Sequence, residues 1–240
     1  HSTIENSIIR EQTMTTLVVA AHPDDEVLGC GASIYKWATA GDDVHVLILA
    51  EGITSRDISL ESNAISALDE LAEAARAASR ILTVSSLSLH DFPDNSMDTV
   101  RFLDIVKIVE TFVSKLTPNV VVTHHVGDLN IDHRITHNAV LTACRPIPGC
   151  SVRRILCFET PSATEWQSPV FNQPFTPNWF EDVSQTFDVK LKALEAYESE
   201  MRIWPHSRSI ESVQNLARWR GASVGVEAAE AFMLIRQIAQ

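Results

Sequence analysis

The chain has 240 residues, 45% of them hydrophobic, and a formal net charge of −12 at pH 7. That length fits one large globular domain better than two small ones. The acidic excess argues against nucleic acid or an anionic membrane surface as the main partner, because both need a basic face that releases counterions. No apolar stretch approaches the roughly 20 residues needed to span a bilayer.

His1 to Thr13 is polar, lacks a signal-peptide core and precedes Met14; it reads as a disordered or vector-derived extension ahead of one domain over residues 14–240. Strand-like runs follow at Thr16 to Ala21, Asp43 to Ala50, Ser85 to Leu89 and Asn119 to Thr123. Between them Val27 to Ala40, Leu60 to Ile81 and Thr99 to Leu116 carry apolar residues at three- and four-residue spacing, the mark of crossover helices. The alternation predicts an α/β fold, a Rossmann-like three-layer sandwich with a mostly parallel sheet.

A helix from Asp132 to about Cys144 and a strand over Arg154 to Glu159 continue the pattern. Thr160 to Trp179, rich in proline and aromatics, reads as a long surface excursion. Helices are expected over Asp188 to Met201, with Leu191, Leu194 and Tyr197 inward, and over Glu211 to Trp219. Val226 to Ile238 fits either a strand or a helix. The four cysteines, Cys30, Cys144, Cys150 and Cys157, form no C-x-x-C pair. They suit reduced thiols in a cytoplasmic protein, with Cys30 packing as a small apolar residue in a Gly29-Cys30-Gly31 turn.

The most informative segment is His22-Pro23-Asp24-Asp25-Glu26, directly after the first strand. Open α/β sheets bind ligands at the carboxyl ends of their strands, so this cluster enters the expected rim. A hydrolytic zinc site takes three protein ligands and keeps a fourth position for water, whose pKa falls to about 7. His22 and Asp25 supply two ligands in this reading. In an extended loop neighbouring side chains diverge, which leaves Asp24 to accept a proton as general base. The third ligand has to come from elsewhere, and His133, in Asp128 to Arg134 after the fourth strand, is the best candidate. In that reading Asp132 caps the helix that carries His133. Taken singly, each residue is more often a solvated turn or a packed histidine; their joint placement carries the argument.

With Ala21 to Glu26, Leu28-Gly29-Cys30-Gly31, Asp128 to His133, Trp204-Pro205-His206-Ser207-Arg208 and Val224 to Phe232 in this order, the chain resembles the LmbE-like and PIG-L-like de-N-acetylases over nearly all of residues 14–240. The resemblance implies a hydrolase with one zinc ion per chain that removes acetyl from an N-acetylglucosamine-type sugar or conjugate. It also implies His22, Asp25 and His133 as ligands and Asp24 as base, as the residues themselves suggest.

One position departs from the family pattern: Asn130 stands where relatives have the first histidine of a His-Pro-Asp-His motif. Asn130 can donate a hydrogen bond to substrate but carries no proton. His125, read as a substrate contact, and His206, read as the acid, are the candidates to replace that histidine. Asp132 either orients a histidine or simply caps its helix. Arg56 could hold a sugar hydroxyl or phosphate; a solvated loop arginine is nearly as good a reading. Trp166 and Trp179 form either a lid that stacks on a sugar or packing that buries the loop. His137 reads as packing, and Glu227 and Glu230 as anchors for the tail or as surface charges.

Two other functions stay open at this point: a zinc amidase for another N-acyl conjugate, such as a thiol-sugar or an antibiotic, and a non-catalytic sugar-binding module. A dinucleotide enzyme lacks its G-x-G-x-x-G after the first strand. The expected partner is a small N-acetylated amino sugar, and self-association into a homo-oligomer is left open.

Overall fold

A computed structural model describes residues 13–52, 61–168 and 173–239; the extension apart from Thr13, and Arg56, lie outside the described residues. The first strand, β1 (Thr15–Ala20), is buried from its second residue onward, as its unbroken apolar run requires of a strand covered on both faces. Helix α1 (Asp25–Thr39) leads to β2 (Asp43–Ala50), α2 (Glu61–Ile81) to β3 (Ser86–Phe92), α3 (Phe102–Leu116) to β4 (Val120–His124), and α4 (Ile131–Ala143) to β5 (Arg154–Phe158). The chain finishes with β6 (Trp179–Asp182), α5 (Phe187–Glu195), α6 (Ile210–Ala222) and β7 (Ala229–Gln237).

The sheet order is β3-β2-β1-β4-β5-β7-β6. The first five strands in that order are parallel, and β7 runs antiparallel between β5 and β6. Alternate residues face opposite layers. Val18, Val46 and Val122 pack with α1, α2 and α5, whereas Leu17, Leu47 and Val121 pack with α3 and α4. This is the expected three-layer sandwich. Because β1 has β2 on one side and β4 on the other, the connections after β1 and β4 leave toward opposite faces, which opens a crevice at their carboxyl ends.

One open reading is settled and two expectations change. Val226 to Ile238 becomes a strand because β5 and β6 pair with it on both sides. The helix expected over Asp188 to Met201 stops at Glu195, where Ala196 and Tyr197 donate to carbonyls only three residues back and a 3₁₀ turn at Glu198–Glu200 follows. The Gly29-Cys30-Gly31 segment lies inside α1 rather than in a turn, and Cys30, at φ −150°, ψ 26°, kinks the helix. The kink exposes backbone donors in mid-helix, and Glu230 on β7 accepts from both Ala32 and Ser33 N–H at 3.1 and 2.7 Å. Lys190 on α5 closes the cluster, with Nζ 2.7 Å from Glu230 and 2.8 Å from the Leu28 carbonyl. Glu230 is thus a helix cap, and the tail strand is fastened to the helix that begins at the His22 to Glu26 segment. Among the described residues no helix is long and apolar enough to cross a membrane.

Candidate metal centre

The loop after β1 does not run extended. Asp24 adopts φ 105°, in the left-handed region, a conformation that costs a non-glycine residue about 1–3 kcal/mol and persists only where the surroundings hold it. Glu26 holds it here: Oε2 accepts the Asp24 N–H at 3.1 Å and Oε1 accepts the Tyr197 hydroxyl at 2.7 Å. The turn therefore separates Asp24 from Asp25 by reversing the backbone, not by strand alternation. Burial pushes Glu26 up to about 7, although the Tyr197 hydrogen bond opposes it.

Asp25 opens α1 and turns back on His22, with Oδ2 accepting the His22 N–H at 2.9 Å and standing 3.2 Å from its Nδ1. His22 Nε2 lies 2.9 Å from Asp132 and 3.2 Å from Asp94. Burial alone would lower the His22 pKa, but its hydrogen bonds to Asp132 and Asp25 and the charges of Asp25 and Asp94 outweigh burial and raise it to about 10.

From the other side of the crevice, α4 presents His133. Its cap is Asn130, whose Oδ1 accepts the Asp132 N–H at 2.8 Å and whose Nδ2 donates to Asn95 at 2.8 Å. The expectation that Asp132 caps this helix is thereby corrected. Asp132, one position inside the first turn, points inward, accepts the Met97 N–H at 3.0 Å and faces His22. The physical reason is register: Asn130 already occupies the non-helical position from which a cap must act.

His133 Nδ1 donates to Asp128 Oδ2 at 3.0 Å, and Asp128 Oδ1 accepts the Thr164 hydroxyl at 2.7 Å. Burial would raise Asp128, yet hydrogen bonds from His124 and His133 bring it down to about 2. With its proton on Nδ1, His133 presents a lone pair at Nε2, 3.2 Å from Asp25 Oδ2 but in no hydrogen bond. Asp25 Oδ1 is likewise buried without a partner. Burial would raise Asp25, but the imidazoles of His133, His124 and His22 around it hold it well below the usual carboxylate range.

One donor atom each from His22, Asp25 and His133 lies within 4.8 Å of the others, all three residues buried. Two imidazole nitrogens and a carboxylate oxygen form the donor set of a divalent transition ion such as zinc. Two neighbouring groups meet the same spacing, His124–Asp128–His133 and His22–Asp94–Asp132, but their atoms are committed elsewhere. His124 Nε2 accepts the Ala21 N–H at 2.8 Å, and burial lowers its pKa to about 4, which keeps its ring neutral. Both oxygens of Asp132 have partners. Two buried atoms without a partner, Asp25 Oδ1 and His133 Nε2, both belong to the first group.

Asp24 stands beside this group with Oδ1 buried and unpartnered and Oδ2 2.6 Å from Arg208 Nη1. Burial raises its pKa well above the ordinary value; Arg208 opposes the shift, and the charges of Asp25, Glu200 and Glu26 add to it. The other sequence candidates are placed less centrally. His125 Nε2 donates to the Gln173 carbonyl at 2.8 Å and its ring meets Phe175 edge-on. His206 Nδ1 accepts the Arg208 N–H at 3.0 Å and the ring packs against Trp166. His137 donates to the His124 carbonyl in the core. Trp179 starts β6 beneath the Arg154 guanidinium rather than forming a lid, while Trp166 is 52% exposed.

Residue types alone missed Asp94, Asp128, Glu26 and Arg208. Asp94 follows a strand end, Asp128 and Glu26 lie inside the quoted motifs, and Arg208 closes the Trp204 to Arg208 motif, so strand-end position was a usable signal for the first three. Arg208 reaches Asp24 across 184 positions of sequence, and no local pattern announces that contact.

Comparison with known proteins fits this geometry. The family profile described as PIG-L, GlcNAc-PI de-N-acetylase, matches residues 17–144. The uncharacterized deacetylase YaiS of Escherichia coli K12 is 31% identical over 189 residues, which cover 76% of this chain and 90% of that protein. Diacetylchitobiose deacetylase of Thermococcus kodakarensis is 28% identical over 213 residues, covering 81% of this chain and 75% of that protein. Among solved structures, the zinc-inhibited form of teicoplanin deacetylase Orf2 is similar with a TM-score of 0.74 at 18% identity, over 94% of this chain and 100% of that one, a likeness of fold.

Proposed function

The chain belongs to the PIG-L family of de-N-acetylases and is a hydrolytic N-deacetylase; from that premise we propose that it uses zinc to remove the acetyl group from the 2-acetamido nitrogen of an N-acetylglucosamine-type sugar or sugar conjugate. The observation that carries this reading is the pair of buried, unpartnered atoms, Asp25 Oδ1 and His133 Nε2, grouped with His22 next to an unpartnered Asp24 Oδ1.

His22, Asp25 and His133 would hold the ion. When bound, zinc would lower the pKa of a water molecule and polarise the acetamide carbonyl. Asp24 accepts the water proton at Oδ1, the oxygen that no protein donor occupies. The proton it then holds is the one the departing amine needs. Asp128 keeps the proton of His133 on Nδ1, and Asp132 faces Nε2 of His22, so both imidazoles keep one orientation. The substrate is a small N-acetylated amino sugar or its conjugate, in keeping with the acidic chain, and the four unpaired cysteines suit a cytoplasmic enzyme.

The test is acetate release by zinc-loaded protein from N,N′-diacetylchitobiose and from free, nucleotide-linked, lipid-linked and thiol-linked N-acetylhexosamines, with Asp24→Asn as the blank. At least one substrate is expected to release acetate, with a loss of about 10²–10⁴-fold in Asp24→Asn at unchanged zinc content. No release from any of them, or equal release by the variant, would overturn the reading.

A further inference from the structure

Arg208 belongs to a quoted motif, yet nothing above gives it a task. Its guanidinium makes two hydrogen bonds, Nη1 donating to Asp24 Oδ2 at 2.6 Å and Nε to Ser162 Oγ at 2.7 Å, with Glu200 Oε2 farther off at 3.8 Å from Nη1. A guanidinium is planar, with its donors in a rigid fork. Two anchors on different arms of the fork therefore fix its plane, and the plane fixes the carboxylate it meets. Ser162 is itself held, since its N–H donates to Glu165 at 2.7 Å. On the other side, the Arg208 N–H donates to His206 Nδ1 and ties the side chain's own backbone.

Asp24 is thus gripped at two points. Glu26 holds its backbone N–H, and Arg208 holds Oδ2. What remains is Oδ1, buried and without a partner. A carboxylate without the second grip can rotate about its terminal bond, a broad and roughly two-fold torsion, and present either oxygen or neither to a proton.

We propose that Arg208 is the positioning residue of the base: it occupies Oδ2 of Asp24, leaves Oδ1 alone for proton transfer, and is kept in that place by Ser162. The proposal rests on the reading of Asp24 as the base. It gives the Trp204 to Arg208 motif a function that acts through Asp24 rather than on the metal or on the substrate.

The experiment combines crystal structures of wild type and Arg208→Ala with kinetics of the zinc-loaded proteins on N,N′-diacetylchitobiose. The Asp24 carboxylate is expected to leave its wild-type rotamer in Arg208→Ala. Turnover is expected to fall about 100-fold, the scale of a small misplacement of a reacting group, with KM within twofold and one zinc retained. Methylguanidinium added to Arg208→Ala should restore turnover at least tenfold, and adding Arg208→Ala to Asp24→Asn should cost less than a further twofold. If Arg208→Ala fails to fold, Arg208→Lys and Ser162→Ala decide, each expected to lower turnover about tenfold at unchanged KM. An unchanged Asp24 rotamer, turnover within threefold of wild type, a loss confined to KM, or a full 100-fold loss on top of Asp24→Asn would overturn the proposal. If wild type releases no acetate, the functional reading fails and the crystallographic comparison alone decides the role of Arg208.

Discussion

His133 Nδ1 sits 3.0 Å from Asp128 Oδ2, and this single contact determines which face of the imidazole is free. The proton committed to Asp128 leaves Nε2 as a lone pair on the side of Asp25 and His22. Asp128 can play this part because the Thr164 hydroxyl occupies its other oxygen.

Replacement of Asp128 by asparagine keeps the shape but removes the charge that fixes this tautomer. Zinc affinity should fall about 10–100-fold, measured by competition with a chromophoric chelator, while far-ultraviolet circular dichroism stays unchanged. An affinity within threefold of wild type would show that His133 is oriented by something else.

Metal uptake should release protons. In the metal-free protein His22, raised to about 10, carries a proton throughout the neutral range, and a ligating imidazole must give it up. Affinity should therefore rise with pH, about tenfold per unit between pH 6 and 9. The sign for stability is opposite: the raised pKa stabilises the metal-free fold fully below about 6.5 and this contribution fades as pH rises through about 10. Titration calorimetry in two buffers of different ionisation heat counts the protons, and a count of zero at pH 7 contradicts the assignment of His22.

Gly29 faces the ring of Phe158, and a Cβ placed there would lie 2.3 Å from its Cδ2. Phe158 is fully buried at the end of β5. Gly29→Ala should lose about 1–3 kcal/mol of stability through overpacking, read as a lower urea midpoint at unchanged m-value. An unchanged midpoint would mean that α1 shifts freely on the sheet.

Lys190 and Glu230 form an ion pair with both side chains almost completely buried. Lys190→Met leaves the Glu230 charge without its cation and should cost about 3–5 kcal/mol. Adding Glu230→Gln should recover part of that loss, because the charge goes and the amide oxygen can still accept from the kinked helix. A double variant less stable than Lys190→Met would refute this account of the pair.

The alternation of apolar strands with amphipathic helices is local, and so are the residue types His22, Asp24, Asp25 and His133; each was legible because periodicity and strand-end position act within a few residues. The strand order that brings the loops after β1 and β4 together is set by tertiary pairing, because the alternation alone admits several orders. Contacts between distant segments were not legible. The pairing of β7 with β5 and β6, the Glu230 cap on a kinked α1, the inward turn of Asp132 and the reach of Arg208 to Asp24 all join positions far apart in sequence. Asp132 shows the difference best. Its sequence neighbours make it a plausible cap, but Asn130 caps the helix and the space beside His22 takes Asp132 instead. Sequence by itself determined which groups could do the chemistry; tertiary structure decided which atom each group has left to do it with, because burial obliges every other polar atom nearby to find a partner.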